Sequence, residues 1–189
     1  MVKIRIQQAR PVSISAFALK TAYIFTDGAF EKGKGTFGGV FVSPEGACLS
    51  YFAGEVSKSA MDELLSSSAH PIYELELLPV LIALHVWGSR CIAQQVVYYL
   101  DNEPACIGLI RGSGGTSTAD LLIAKAVRLE CELGQHAWYA RVPHGNIADD
   151  PSRFSFERLN RLGAARFILD DDWVASLVLE AGWSGREAR

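Results

Sequence analysis

Four acidic positions in this chain sit where carboxylates could do chemistry together. Asp27 ends the run Tyr-Ile-Phe-Thr-Asp27, Asp101 ends Val-Val-Tyr-Tyr-Leu-Asp101, Glu76 opens an apolar helical stretch, and Asp149 follows Asn146-Ile-Ala in Asp149-Asp-Pro-Ser-Arg153. Carboxylates gathered without a cation repel one another and raise their own pKa values, so a divalent ion is their natural complement. Ligands that are all oxygen favour Mg²⁺ or Mn²⁺ over zinc. Each residue alone has a plainer reading. Asp27 before Gly28 is a turn former, most helical glutamates are solvated and Glu74 competes with Glu76, and Asp149 or Asp150 is a natural helix cap. It is their convergence that would carry function.

The elements that must position these acids follow from local pattern. Residues 22–27 form a strand stopping at Thr-Asp-Gly, residues 33–42 a second strand interrupted at Gly38-Gly39, and residues 47–53 a third after the Pro44-Glu45-Gly46 turn, which together predict an antiparallel meander. Residues 55–70 are Ser-rich and read as an exposed loop or insertion with a short helix near Met61. From Ile72 to Trp87 apolar residues recur at helical spacing, with Glu76, Val80, Ala83 and Trp87 on one face and Pro79 placed to kink the axis. Residues 96–100 are a buried strand and residues 103–110 a short helix. Residues 119–133 are a longer helix capped by Ser117 or Thr118, residues 137–142 are the last strand, and the chain from Asp149 onward reads as helical. Three strands followed by alternating helices and strands imply an α/β mixed sheet with helices on its faces. Asp27 and Asp101 then fall at carboxyl ends of strands, where α/β proteins bind ligands.

The 189 residues are 49% hydrophobic and 21% charged, which excludes a disordered or fibrous chain and predicts one core domain with an appendage. The net charge of −3 is unevenly spread: residues 1–26 carry four Lys/Arg and no acid, residues 27–151 carry a net −7, and the remainder is neutral. An acidic centre suits a cation site and predicts weak unaided nucleic-acid binding. No apolar run approaching a membrane span and no secretory signal is read, so the chain is expected to be intracellular, cytoplasmic or nuclear, and not secreted or membrane-bound. Cys48, Cys91, Cys106 and Cys131 lack metal or disulfide spacing and read as small buried hydrophobes. Gly112 to Gly115 lacks the Gly-Lys-Ser/Thr of a phosphate loop and reads as a flexible connector. Asn102 and Ser113 are candidate substrate-contacting residues.

Taken in order, Tyr-Ile-Phe-Thr-Asp27-Gly-Ala, Gly-Thr-Phe-Gly-Gly-Val-Phe-Val-Ser-Pro-Glu-Gly46, Glu76-Leu-Leu-Pro-Val-Leu-Ile-Ala-Leu84, Tyr-Tyr-Leu-Asp101-Asn and Asn146-Ile-Ala-Asp149 resemble the ribonuclease H family (type 1). The final Asp-x-Pro-Ser-Arg is most similar to the domains attached to retroelement reverse transcriptases. The resemblance covers about residues 21–153 and divides the chain into an N-terminal extension (1–20), a catalytic domain (21–153) and a C-terminal helical extension (154–189). It implies a ribonuclease H-like fold with a five-stranded mixed sheet, the first three strands antiparallel, flanked by helices. It also implies endonucleolytic hydrolysis of the RNA strand of RNA/DNA hybrids with two Mg²⁺ ions, Mn²⁺ being able to substitute. By the same resemblance Asp27 bridges both ions, Asp149 holds the nucleophile-side ion, and Glu76 and Asp101 hold the other. The register supports Glu76, because the family's Glu precedes an Ala-Leu pair by seven residues and Ala83-Leu84 stands there. His144 is the candidate for a mobile catalytic His, and a reverse transcriptase or other polymerase domain is the implied partner. Pro79, the short loop before Asp149 and the lack of a basic, Trp-rich protrusion are departures from the family pattern. Two alternatives stand beside it: an inactive binding or assembly module of the same fold, or another nuclease of that fold such as a resolvase or exonuclease.

Overall fold

The computed structural model describes residues 20–92, 94–142 and 145–179, so His144 and the segments 1–19 and 180–189 lie outside the described residues. Strands β1 (Thr21–Glu31) and β2 (Lys34–Val42) form a hairpin that turns at Lys32 and Gly33, both at positive φ (51° and 79°) as two-residue primed turns require. Strand β3 (Cys48–Glu55) pairs antiparallel with β2. Helices α1 (Lys58–Ser67) and α2 (Ile72–Trp87) follow, then a 3₁₀ turn (Gly88–Cys91), β4 (Gln95–Leu100), α3 (Glu103–Arg111), α4 (Ser117–Leu133) and β5 (His136–Arg141). The chain continues through α5 (Asp149–Ser152), α6 (Glu157–Arg161), β6 (Ala165–Arg166) and α7 (Asp171–Leu179). The sheet order is β5-β4-β1-β2-β3-β6. β4 runs parallel to β1, and β5 parallel to β4, so the sheet is mixed about β1.

Alternation along the strands gives each face its own core. Ala22, Ile24, Val96, Tyr98 and Leu100 point into the larger cluster, which α2, α4, α1 and α7 cover. Phe25, Val40 and Tyr51 point the other way, into a smaller cluster closed by Ala148, Leu159 and Ala164. Helix α2 is buried on nearly every side, with Trp87 stacked on Phe41 at 5.6 Å and tilted against Phe52 at 5.0 Å. Truncating one of its buried leucines, such as Leu81, to alanine should cost about 2–5 kcal/mol.

Several expectations change. The sheet has six strands, because residues 165–166 pair in parallel with Ser50 and Tyr51. β1 does not stop at Thr-Asp-Gly but continues to Glu31, since Asp27 and Gly28 pair with Gly38 and Phe37. β2 likewise runs unbroken through Gly38-Gly39. Ten residues of the Ser-rich stretch form α1, capped by Ser57 and burying Ala60, Met61 and Leu64, so it is core rather than an exposed insertion. α4 is capped by Thr116, not Ser117 or Thr118. The span Ile72–Cys91 does have the length and mean hydropathy (1.3) of a membrane span, although the acids within it hide this in a search for runs; 72% of it is buried as the central helix of the fold. All four cysteines are free, but Cys131 is exposed and Cys48 only half-buried. The described part of the C-terminal extension joins both cores: Leu159 and Ala164 pack into the smaller one against the sheet, and Val174, Leu177 and Val178 of α7 into the larger one, where α7 lies against α1 and α4.

Candidate active site

Asp27 lies two residues beyond Phe25, the last β1 residue paired with β4, so its side chain emerges where the parallel neighbour has ended. Asp101 is the first residue after β4, and Asp149 the first of α5. Asp27, Asp101 and Asp149 each bring a carboxylate oxygen within 4.8 Å of the others. Asp27 is only 4% exposed.

Glu76 reaches the same place through a backbone approach. A Cβ on Gly28 would lie 2.3 Å from the Leu75 carbonyl oxygen, so β1 and α2 touch main chain to main chain here. Pro79 has no N–H to offer that carbonyl four residues earlier, so the oxygen against Gly28 lacks its usual helical donor. The helix runs unbroken through Pro79 and sets Glu76 against the trio.

The electrostatics are those of a crowded acidic cluster. Burial above all, with the Asp149 and Asp101 charges adding, pushes the Asp27 carboxyl up to about 6 against the lowering effect of a hydrogen bond from Ser152. Burial, then the charges of Asp101 and Asp27, push Glu76 up to about 10, and its Oε2 has no hydrogen-bond partner. Asp149 is raised by burial and by Asp101, with Arg153 opposing. An all-oxygen set that holds a proton at neutral pH for want of positive charge fits a divalent cation, and the trio could hold one.

Two acids that competed for roles are placed elsewhere. Glu74 is fully buried, but its Oε1 accepts a hydrogen bond from Thr116 Oγ1 at 2.5 Å. Asp150 approaches Arg158 at 3.8 Å rather than joining the trio. Asn102 caps α3, accepting from the Ala105 N–H at 2.9 Å, and is exposed neither fully nor far from Asp101, its chain neighbour. Ser113 is exposed at the closing turn of α3, where its N–H bonds the Gly108 carbonyl. The Gly-rich stretch around it is fastened at Gly114 by Asp120 and at Thr116 by Glu74, more than a plain connector needs. His144 is outside the described residues.

Sequence reading missed two residues. Ser152 Oγ donates to Asp27 Oδ2 in a short hydrogen bond and lies 3.1 Å from the Asp149 carbonyl. Asn146 Nδ2 donates to the Thr26 carbonyl at 2.8 Å while its Oδ1 accepts from Ala148, so it ties the loop before α5 to β1. Both stand in the quoted motif, and their polarity beside an apolar strand partner was the available signal.

No protein-family model matches this chain, and no curated protein matches it by sequence. Solved structures do. Ribonuclease H1 of the halophilic archaeon Halobacterium salinarum aligns at 17% identity and a TM-score of 0.51, covering 73% of this chain and 98% of that one. The N-terminal ribonuclease H domain of a Mycobacterium tuberculosis protein, solved as a fusion with maltose-binding protein, aligns at 14% and 0.52 over 72% and 99%. Ribonuclease H1 LC11, isolated from compost by a metagenomic approach, aligns at 17% and 0.54 over 75% and 99%, and its complex with an RNA/DNA hybrid at 19% and 0.51 over 74% and 99%. The chain has the ribonuclease H-like fold.

Proposed function

We propose that this chain is a divalent-metal-dependent endonuclease of the ribonuclease H type, hydrolysing the RNA strand of RNA/DNA hybrids. The observation that carries the reading is the convergence of Asp27, Asp101 and Asp149 within 4.8 Å, beside buried Glu76, on this fold. In this reading Asp27 would serve both cations, Asp149 would help hold the one beside the attacking water, and Glu76 and Asp101 would hold the one beside the leaving group, as the ribonuclease H resemblance implies. Bound there, paired Mg²⁺ ions, or Mn²⁺ in their place, would make water a stronger nucleophile and neutralise charge on the departing 3′-oxygen. The chain's own contribution is to hold four acids at fixed spacing despite their repulsion, through the Gly28–Leu75 approach and the Ser152 hydrogen bond. Asn102, whose cap uses Oδ1, keeps its amide N–H group as a donor for an RNA 2′-OH beside Asp101.

The Asp-Asp-Pro-Ser-Arg motif supports an origin beside a retroelement reverse transcriptase, acting inside the cell with a polymerase domain. The acidic balance of residues 27–151 supports the need for a basic partner to hold the hybrid. The test is a cleavage assay on RNA/DNA hybrid, duplex DNA and duplex RNA, each with Mg²⁺ and with EDTA. Cleavage of the hybrid's RNA strand alone, abolished by EDTA, is expected. Cleavage of duplex DNA instead would move the reading to a resolvase or exonuclease, and cleavage of none to an inactive module.

A further inference from the structure

Ser152 is completely buried, and a hydroxyl without water must find an acceptor within the protein. Two acceptors face it, the Asp27 Oδ2 carboxylate oxygen on β1 and the Asp149 carbonyl oxygen on its own helix at 3.1 Å. The second is the ordinary back-bond of a helical serine. The first spans the sheet and joins residues 125 positions apart in sequence. It links the element that carries Asp149 to the strand that carries Asp27.

The strand opposite Asp27 is shaped for that link. Gly38 pairs with Asp27, and a Cβ there would lie 2.4 Å from the Ser152 nitrogen and 2.9 Å from the Pro151 carbonyl carbon. Any side chain at 38 would lift α5 away from β1. The missing side chain and the serine hydroxyl are therefore two parts of one seat, observed independently.

We infer that Ser152 is the positioning residue for the cation site: it clamps Asp27 and sets its distance from Asp149 before any ion arrives. The inference rests on the metal reading above. The clamp holds one carboxylate in one rotamer against like-charged neighbours that would drive it aside. When cations engage Asp27, the hydroxyl proton can turn to the Asp149 carbonyl, so release of Oδ2 leaves no buried donor unpaired. A hydroxyl that orients a ligand in this way is expected to change metal affinity by about tenfold when removed.

The experiment compares the full chain with its Ser152→Ala and Ser155→Ala variants. Ser155 is the control, since its hydroxyl donates to the exposed Glu157 side chain and to no member of the acidic cluster among the described residues. Mn²⁺ binding is measured by calorimetry without nucleic acid, and hybrid cleavage as a function of Mg²⁺ concentration. Ser152→Ala should raise the Mn²⁺ Kd about tenfold and shift the Mg²⁺ requirement upward by a similar factor, with kcat at saturating Mg²⁺ within about threefold of the parent. Ser155→Ala should match the parent in both. An unchanged Mn²⁺ Kd in Ser152→Ala, or a loss of kcat that excess Mg²⁺ does not restore, would overturn the inference. Absence of Mn²⁺ binding by the parent protein would overturn the metal reading and the inference with it. Weakened Mn²⁺ binding by Ser152→Ala in a protein that cuts no hybrid would sustain the clamp and overturn the substrate.

Discussion

Glu74 and Glu76 stand two residues apart on α2, both sealed from solvent, and their surroundings differ in kind. Successive offsets of about 100° point side chains at i and i+2 to nearly opposite sides of a helix. One side of α2 meets the loop before α4, where Glu74 takes the Thr116 hydroxyl that also caps α4. The other meets β1, where Glu76 finds Asp27 and Asp101. An acid that meets a hydroxyl fastens two elements. An acid that meets acids stores repulsion that only a proton or a cation relieves.

Neutralising each glutamate separates these environments. Glu76→Gln should lower hybrid cleavage by about 10²-fold or more, as expected for a group that acts on the charge of the reacting centre. Glu74→Gln should leave cleavage near the parent rate, because its Oε1 can still accept from Thr116. Glu76 also shapes the metal-free protein's response to pH. Glu76 keeps its proton up to about 10 when folded and loses it near 4.5 when unfolded, so the folded state binds more protons between those values. Its contribution therefore falls as pH rises through that window, and Asp27, raised to about 6, adds to the fall over its lower part. Thermal melts in EDTA should show the parent losing stability from pH 5 to pH 8 more steeply than Glu76→Gln. Equal slopes would break the contrast.

Asp149 and Asp150 carry that contrast onto adjacent positions. Asp149 belongs to the trio while Asp150 approaches Arg158. Asp149→Asn should reduce single-turnover cleavage by orders of magnitude. Asp150→Asn should leave turnover intact and change stability by no more than about 0.3–1 kcal/mol through the lost charge at the start of α5. The reverse ranking would place the wrong acid in the cluster.

These acids were legible because each stands in or beside an element whose own pattern is local. Tyr-Ile-Phe-Thr and Val-Val-Tyr-Tyr-Leu read as buried strands, and helical spacing from Ile72 to Trp87 fixes α2. What escaped reading depends on distant partners. Asp27-Gly28 carries turn chemistry, yet the strand continues because β2 pairs with it and α2 needs the missing side chain. Ala60, Met61 and Leu64 are too few to announce a core helix among serines, and elements distant in sequence, α7 above all, give them something to bury against. β6 is two residues long and exists only because β3 lies beside it. Ser152 read as a motif letter because its acceptor is on the first strand.

The close approach of α2 to β1 can be tested without touching an acid. Gly28→Ala would set a Cβ 2.3 Å from the Leu75 carbonyl oxygen and 2.8 Å from the Glu76 nitrogen, both main-chain atoms that cannot rotate away. The helix must shift, at a cost of about 1–3 kcal/mol. Cleavage should fall by more than the unfolded fraction explains, since the shift moves Glu76 relative to Asp27 while Glu74 keeps its hydroxyl. Denaturant melts beside cleavage rates on the folded fraction would show it. A loss of stability with full activity would mean that the spacing of Glu76 is not set at this contact.

The smallest expected effect lies in the turn between β1 and β2. Lys32 holds φ at 51° in the exposed turn between β1 and β2, a conformation that costs most side chains energy and that asparagine tolerates through its short polar group. With Gly33 behind it at 79°, Lys32→Asn creates the Asn-Gly pair that primed hairpin turns favour. The gain should be about 0.5–1 kcal/mol, or roughly 1–4 °C in Tm for a chain of this size. Lys32 lies five positions along the strand from Asp27, about 16 Å, so Mn²⁺ affinity and kcat at saturating hybrid should not change. That result would show that steadying the hairpin alone does nothing for the acids, and that the losses in Gly28→Ala and Glu76→Gln come from the site rather than from stability. A fall in kcat/KM for hybrid, with Mn²⁺ affinity unchanged, would instead place the exposed Lys32 ammonium against the nucleic-acid backbone.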